Sequence, residues 1–95
     1  MTVAAVIDLD QGWRLDRQVA LRPEPFGALA YHFGTRRLSF LKSRVLLDVV
    51  ERLEQHSSAR EACRAAGVAA DQLPRYEQAL GILAEAGMIR PKDQR

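Results

Sequence analysis

Gly27-Ala-Leu-Ala-Tyr-His-Phe-Gly-Thr-Arg-Arg-Leu-Ser-Phe-Leu41 consists of two alternating runs joined at Gly34-Thr35. A Gly-X pair between such runs suits a two-residue type II′ hairpin. The stretch therefore predicts a strand over 26–33, a turn at Gly34-Thr35 and a returning strand that ends at Leu41. Register follows: Phe33 opposes Arg36, Tyr31 opposes Leu38, and Leu29 opposes Phe40. Side chains alternate across a strand, so Leu29, Tyr31, Leu38 and Phe40 share one face. The other face holds Ala28, Ala30, His32, Arg37 and Ser39. The larger apolar set is expected to meet the core and the smaller, more polar set to meet water.

Upstream, Val19 and Leu21 alternate with Ala20 and Arg22 before Pro23-Glu24-Pro25. Proline cannot donate to a ladder, so a first strand is expected to stop there. Residues 1–16 carry scattered acids and no period. They read as a mobile lead-in on which Trp13 and Leu15 could dock, with the domain over 17–91.

Downstream, the period changes to that of a helix. Ser43 is placed to cap a first helix, with Leu46, Val49, Val50 and Leu53 as its apolar stripe. Ser58-Ala-Arg-Glu61 has the form of a capping box opening a second helix, which Gly67 closes. A third begins near Asp71, tolerates Pro74 in its first turn and ends at Gly87. Met88 and Ile89 are expected to fold back as a hydrophobic close. Three strands with one apolar face need a covering layer, so the fold class is α+β. A three-stranded antiparallel sheet is followed by three helices, in a winged helix-turn-helix-like order.

The chain has 95 residues, 47% of them hydrophobic and 27% charged, in the ordinary range for a globular domain. That excludes a disordered chain. No apolar run nears the roughly 20 residues that a membrane span needs. Fourteen basic and twelve acidic residues give +2, too slight a surplus to point to nucleic acid. The single cysteine, Cys63, forms no intrachain disulfide and fits a reduced cytoplasmic setting.

A search for chemistry finds no catalytic set. His32 and His56 lie on different elements without Cys, Asp or Glu at ligand spacing, and no glycine loop is built to cradle phosphate. Arg60 and Arg64 flank Cys63 and could lower its pKa, but a lone helical cysteine is ordinarily a packing residue. No cofactor or metal is expected. What asks for a function is the third strand, whose far side has no partner in the sequence. An open edge exposes unpaired N–H and C=O groups. Arg36, Arg37 and Lys42 at its ends either blunt that edge or steer an acidic extended peptide to it. The third helix adds a second stripe, Arg75, Ala79, Ile82 and Ala86, more apolar than a solvated flank normally is.

The stretch from Val19 to Arg44, with the order of elements and the Gly87-Met88-Ile89 close, resembles a known family. It is similar to the peptide-recognition domains of ribosomal-peptide biosynthesis, which include the pyrroloquinoline quinone peptide chaperone, and in particular to the mycofactocin biosynthesis chaperones. The likeness spans about residues 17–91. It implies a non-catalytic protein that binds the acidic leader of a short precursor peptide and presents it to a radical S-adenosylmethionine maturase. The family's leader adds as a strand beside the third helix. Carried over, the site is Arg36, Arg37, Leu38, Ser39, Phe40 and Leu41 on the strand, and Arg75, Ala79, Ile82 and Ala86 on the helix. Ser39→Pro is then expected to remove an edge donor while the fold survives. The maturase would use either the sheet face around Ala30, His32 and Arg37 or the helix-one face bearing Arg44, Asp48, Glu51 and Arg52. Two other classes stay open. One is a winged helix-turn-helix regulator using Gln72, Arg75 and Gln78 on DNA, although Glu77 and Glu85 oppose it. The other is a dimer joined through the same edge.

Overall fold

The computed structural model describes residues 7–93. A central antiparallel sheet has the order β2-β3-β4, with β2 at Val19–Glu24, β3 at Gly27–His32 and β4 at Leu38–Leu41. A second, two-stranded sheet pairs β1 (Trp13–Leu15) with β5 (Ile89–Pro91). The helices α1 (Arg44–Arg52), α2 (Ala59–Ala65) and α3 (Leu73–Glu85) follow β4, with 3-10 turns at Leu53–Gln55 and Ala70–Gln72. The α+β arrangement of a three-stranded antiparallel sheet and three helices is as expected.

Tyr31 pairs with Leu38 and Leu29 with Phe40, in the predicted register. The turn that sets it is different. His32 and Arg37 close the loop, with His32 N–H donating to Arg37 O at 2.9 Å and Arg36 N–H donating to His32 O at 2.7 Å. The positive φ of 63° falls on Arg36, while Gly34 has none. A type II′ turn would need positive φ at Gly34. The loop is therefore four residues long, and it keeps the register because lengthening a hairpin by one residue on each side moves no pair.

The sheet's orientation reverses the expectation. Ala28 and Ala30 are 0% and 1% exposed and His32 is buried with them, whereas Leu38 and Phe40 are 51% and 55% exposed. The physical reason is close approach. Ala28 and Ala30 are small enough for α1 to pack directly on β3, and the long side chains are turned outward. Gly27 makes the same point at the backbone. A Cβ there would sit 2.0 Å from Leu41 O, so only glycine lets the chain leaving β4 cross the start of β3.

Proline does not stop the first long strand. Pro23 pairs with Ala28 inside β2. Phe33 N–H donates to Gln18 O, so odd-numbered residues of β3 bond to β2. Pro23 then stands at a non-bonded position of an edge strand, where its missing N–H costs nothing.

The helix signals behave as read. Ser43 Oγ accepts from Leu46 N–H, and Ser58 Oγ accepts from Glu61 N–H. Glu61 takes the Ser57 hydroxyl at 2.9 Å instead of returning to the Ser58 amide. Gly67, at φ 89°, closes α2, with Val68 N–H donating to Cys63 O. Leu46, Val49, Val50 and Leu53 are buried, as are Leu80, Leu83, Met88 and Ile89.

From Ile7 onward, the segment read as a lead-in packs into this core. Ile7, Leu9 and Trp13 are buried, and Trp13 Nε1–H donates to Asp8 O. Arg60 N–H on α2 donates to Leu9 O, and its guanidinium lies 2.8 Å from Asp10 and holds that carboxyl below the usual carboxylate range. Residues 1–6 lie outside the described part.

Candidate functional site: the free edge and outer face of the sheet

Strand β4 ends the sheet on one side, so among the described residues no strand pairs with its outer edge. Which of its backbone groups are free follows from the ladder. In an antiparallel pair, opposed residues alternate between bonded and non-bonded. His32 and Arg37 are bonded, so Ala30 with Ser39 and Ala28 with Leu41 are the next bonded pairs. Leu38 and Phe40 stand at the non-bonded positions. Their N–H and C=O groups point away from β3. The N–H of Ser39 points into the sheet, which corrects the expectation for Ser39→Pro: that change breaks the hairpin ladder rather than trimming its rim.

The residues whose backbone is free also carry the most exposed side chains of the strand. Phe40 lies beside Phe26, with ring centroids 6.1 Å apart, and opposite Leu29. Leu38 lies opposite Tyr31, whose ring meets Phe33 edge-on at 5.2 Å. Together these side chains form a continuous apolar strip across the outer face, and Phe33 is 63% exposed. Sequence reading placed four of these residues in the core and so did not find the strip. Its one signal was the excess of large over small side chains on that face.

Of the residues singled out from sequence, Arg36, Arg37, Leu38, Ser39, Phe40 and Leu41 are brought together on β4 and its loop. Leu41 is fully buried and points inward. On α3, Arg75 and Ile82 are exposed and Ala79 and Ala86 half-buried, so the apolar flank is open to solvent. The helix in substantial contact with β4 is α1, while α3 packs on β5 and the turn at Ala70–Gln72. The face expected around Ala30 and His32 is turned into the core and offers no surface.

His32 instead anchors the hairpin. Its Nδ1 accepts from the Gly34 and Thr35 amides, both at 3.1 Å, which assigns the ring hydrogen to Nε2. Nε2 lies 3.6 Å from Asp16 Oδ1, and Asp16 is itself buried. Asp16 Oδ1 accepts from Gln18 N–H at 2.8 Å, and Oδ2 is 2.9 Å from Arg90 Nε as an ion pair off the hydrogen-bond line. One buried cluster thus ties the β4 loop to β2 and β5. Cys63 is wholly buried in α2, and burial pushes its thiol pKa up, only partly countered by the charge of Arg60. That reverses the direction its two arginine neighbours suggest in sequence.

Charge is unevenly shared. Residues 17–44 hold six basic residues and one acid, net +5, while the rest of the chain holds eight basic and eleven acidic, net −3. The sheet and its loops carry the positive end of the molecule.

The model of the peptide chaperone MftB family matches residues 12–90. A peptide chaperone MftB of Mycobacterium ulcerans is 56% identical over 90 residues, covering 95% of this chain and 83% of that protein. Its counterpart in Mycolicibacterium smegmatis is 58% identical over 84 residues, covering 88% and 82%. The M. tuberculosis one is 58% identical over 86 residues, covering 90% and 78%. No solved structure matches. The matched span contains both sheets and all three helices, and on this evidence the chain belongs to the peptide chaperone MftB family of mycofactocin biosynthesis.

Proposed function

We propose that the chain is a non-catalytic chaperone that binds the leader of a ribosomally made precursor peptide by strand addition to β4. It presents that peptide to a radical S-adenosylmethionine maturase in mycofactocin biosynthesis. The observation that carries this reading is the pair of outward backbone groups at Leu38 and Phe40 on an unpaired edge. Strand addition uses such groups for affinity and alternate side chains for specificity. A guest strand would place every second side chain beside Leu38 and Phe40 on the outer face. The others would point to the side of Ser39, and the α3 flank of Arg75, Ala79, Ile82 and Ala86 enters the site on the family resemblance, since α3 itself packs on β5.

Magnitudes decide how the work is divided. Each backbone hydrogen bond contributes about 0.5–1.5 kcal/mol net. Ordering a flexible leader costs on the order of 2–5 kcal/mol. Two residues' worth of bonds barely offset that, so one or two leader side chains must be buried, at roughly 1.5–3 kcal/mol each. Arg36, Arg37 and Lys42 favour an acidic leader and speed its arrival. No helix among the described residues is long and apolar enough to cross a membrane.

Duplex DNA is the weaker candidate ligand. A groove-reading helix needs a clustered basic face, and here the positive charge lies on the sheet while α3 carries Glu77 and Glu85 beside Arg75. Titration calorimetry with the synthetic leader of the precursor tests the proposal. Saturable binding that weakens as salt rises is expected. Absence of binding, or tighter binding of duplex DNA at the same salt, would overturn it.

A further inference from the structure

The outer strip is larger than a leader can cover. A strand added to β4 lies about 4.8 Å beyond it, hence roughly 10 Å from β3 and about 14 Å from β2. Tyr31, Phe33 and Arg22 would remain open beside a bound leader. Aromatic side chains ringed by arginine, with few acids, make up the composition typical of the centre of a protein–protein interface. Contiguous exposed apolar patches on soluble domains commonly mark such sites.

Charge says what would cover it. Arg22 projects from the strip where β2 faces Leu29, and Arg36 and Lys42 stand at the two ends of β4. Arg44, whose Nε donates to Pro25 O, guards the β2–β3 turn. Glu24, held by Arg22 at 2.8 Å, is the one acid among residues 17–44. Two copies packed sheet on sheet would set the Arg36, Lys42 and Arg44 charges of each against those of the other, so a symmetric dimer is disfavoured. An acidic partner is not.

We propose that the outer face of the β2–β3–β4 sheet docks a second, folded protein whose contact surface has an apolar centre and an acidic rim. A leader strand on β4 enlarges that same face. The inference rests on the reading of the chain as a leader-binding chaperone, but it assigns a surface separate from the leader's edge.

The test uses the full chain, the synthetic leader and the radical S-adenosylmethionine maturase as probes. Arg22→Glu on β2 and Phe33→Ser just after β3 alter exposed side chains on the far side of β4 from an added strand, and circular dichroism checks that each variant is folded. Each is expected to weaken the maturase complex at least tenfold while leader affinity stays within about twofold. Unchanged maturase binding overturns the inference, as does an equal loss of both affinities, which would fold this face into the leader site. A wild-type chain that binds leader but not maturase also overturns it and leaves the leader reading standing. Maturase binding without leader binding, still lost in both variants, sustains this surface while the leader reading fails. Sedimentation that reveals a wild-type dimer dispersed by Phe33→Ser would assign the face to a second copy instead.

Discussion

Ser39 stands opposite Ala30 in a hydrogen-bonded pair of the β3–β4 ladder, so its amide points into the sheet while those of Leu38 and Phe40 point out. The strand therefore separates two tasks by parity. Even-numbered Leu38 and Phe40 face outward with both backbone and side chain exposed. Odd-numbered Ser39 and Leu41 hold the strand in place.

Proline substitutions should follow that parity. Leu38→Pro is expected to keep the fold and weaken leader binding by roughly two- to tenfold, the worth of about one backbone hydrogen bond. Phe40→Pro should weaken it more than Phe40→Ala, which removes the ring alone. Ser39→Pro should lower the melting temperature seen by circular dichroism, because it removes an internal ladder bond. Equal leader affinities for Leu38→Pro and the wild type would count against strand addition.

Ile82 on α3 is exposed within an apolar flank, although nothing in the fold requires an apolar residue there. Ile82→Glu is expected to leave helix content unchanged and to weaken leader binding tenfold or more. It removes about 1.5–3 kcal/mol of potential burial and adds a charge that repels an acidic peptide. Retained affinity in the calorimeter would remove α3 from the site.

His32 is needed for the edge without touching it. Replacing it by leucine leaves the Gly34 and Thr35 amides without their acceptor and takes a polar neighbour from the buried Asp16 carboxylate, which keeps Gln18 N–H and Arg90. The expected cost is about 1–3 kcal/mol, and at roughly 4–8 °C per kcal/mol for a domain this size the melting temperature should fall visibly. An unchanged melting temperature would mean that the cluster does not hold the hairpin.

Cys63 should be inert. Burial raises its thiol pKa above the unfolded value, so the folded state keeps its proton where the unfolded chain loses it. The resulting stability is fully present below about pH 8.5, the unfolded value, and declines as pH rises through the folded pKa. A thiol reagent at pH 7.5 should react slowly with the native protein and rapidly in urea. Rapid native reaction would contradict the packing of α2.

The parts of the fold that were legible in the sequence are those set by neighbours along the chain. Register came from the sum of paired numbers, which is indifferent to whether the turn has two residues or four. Ser43, Ser58 and Gly67 announce helix ends because caps act within one turn. What was misread depends on partners far away in sequence. Alternation shows that Leu29, Tyr31, Leu38 and Phe40 share a face but not which face is inside, and the usual preference for burying the larger set fails where that set is left exposed. Trp13 pairs with Pro91 across nearly the whole chain, a contact that no local pattern reveals. The β4 half of the candidate site was therefore readable as an unpartnered strand, while the outer strip and the His32–Asp16 cluster needed the three-dimensional arrangement.

Amide hydrogen exchange at residue resolution, with and without the precursor leader, tests strand addition most directly. In the free protein the Ser39 amide should be protected and those of Leu38 and Phe40 should exchange fast. Saturating leader should slow Leu38 and Phe40 by at least tenfold and leave Ser39 unchanged. Leader bound at saturation with Leu38 and Phe40 still exchanging at their free rates would contradict the account.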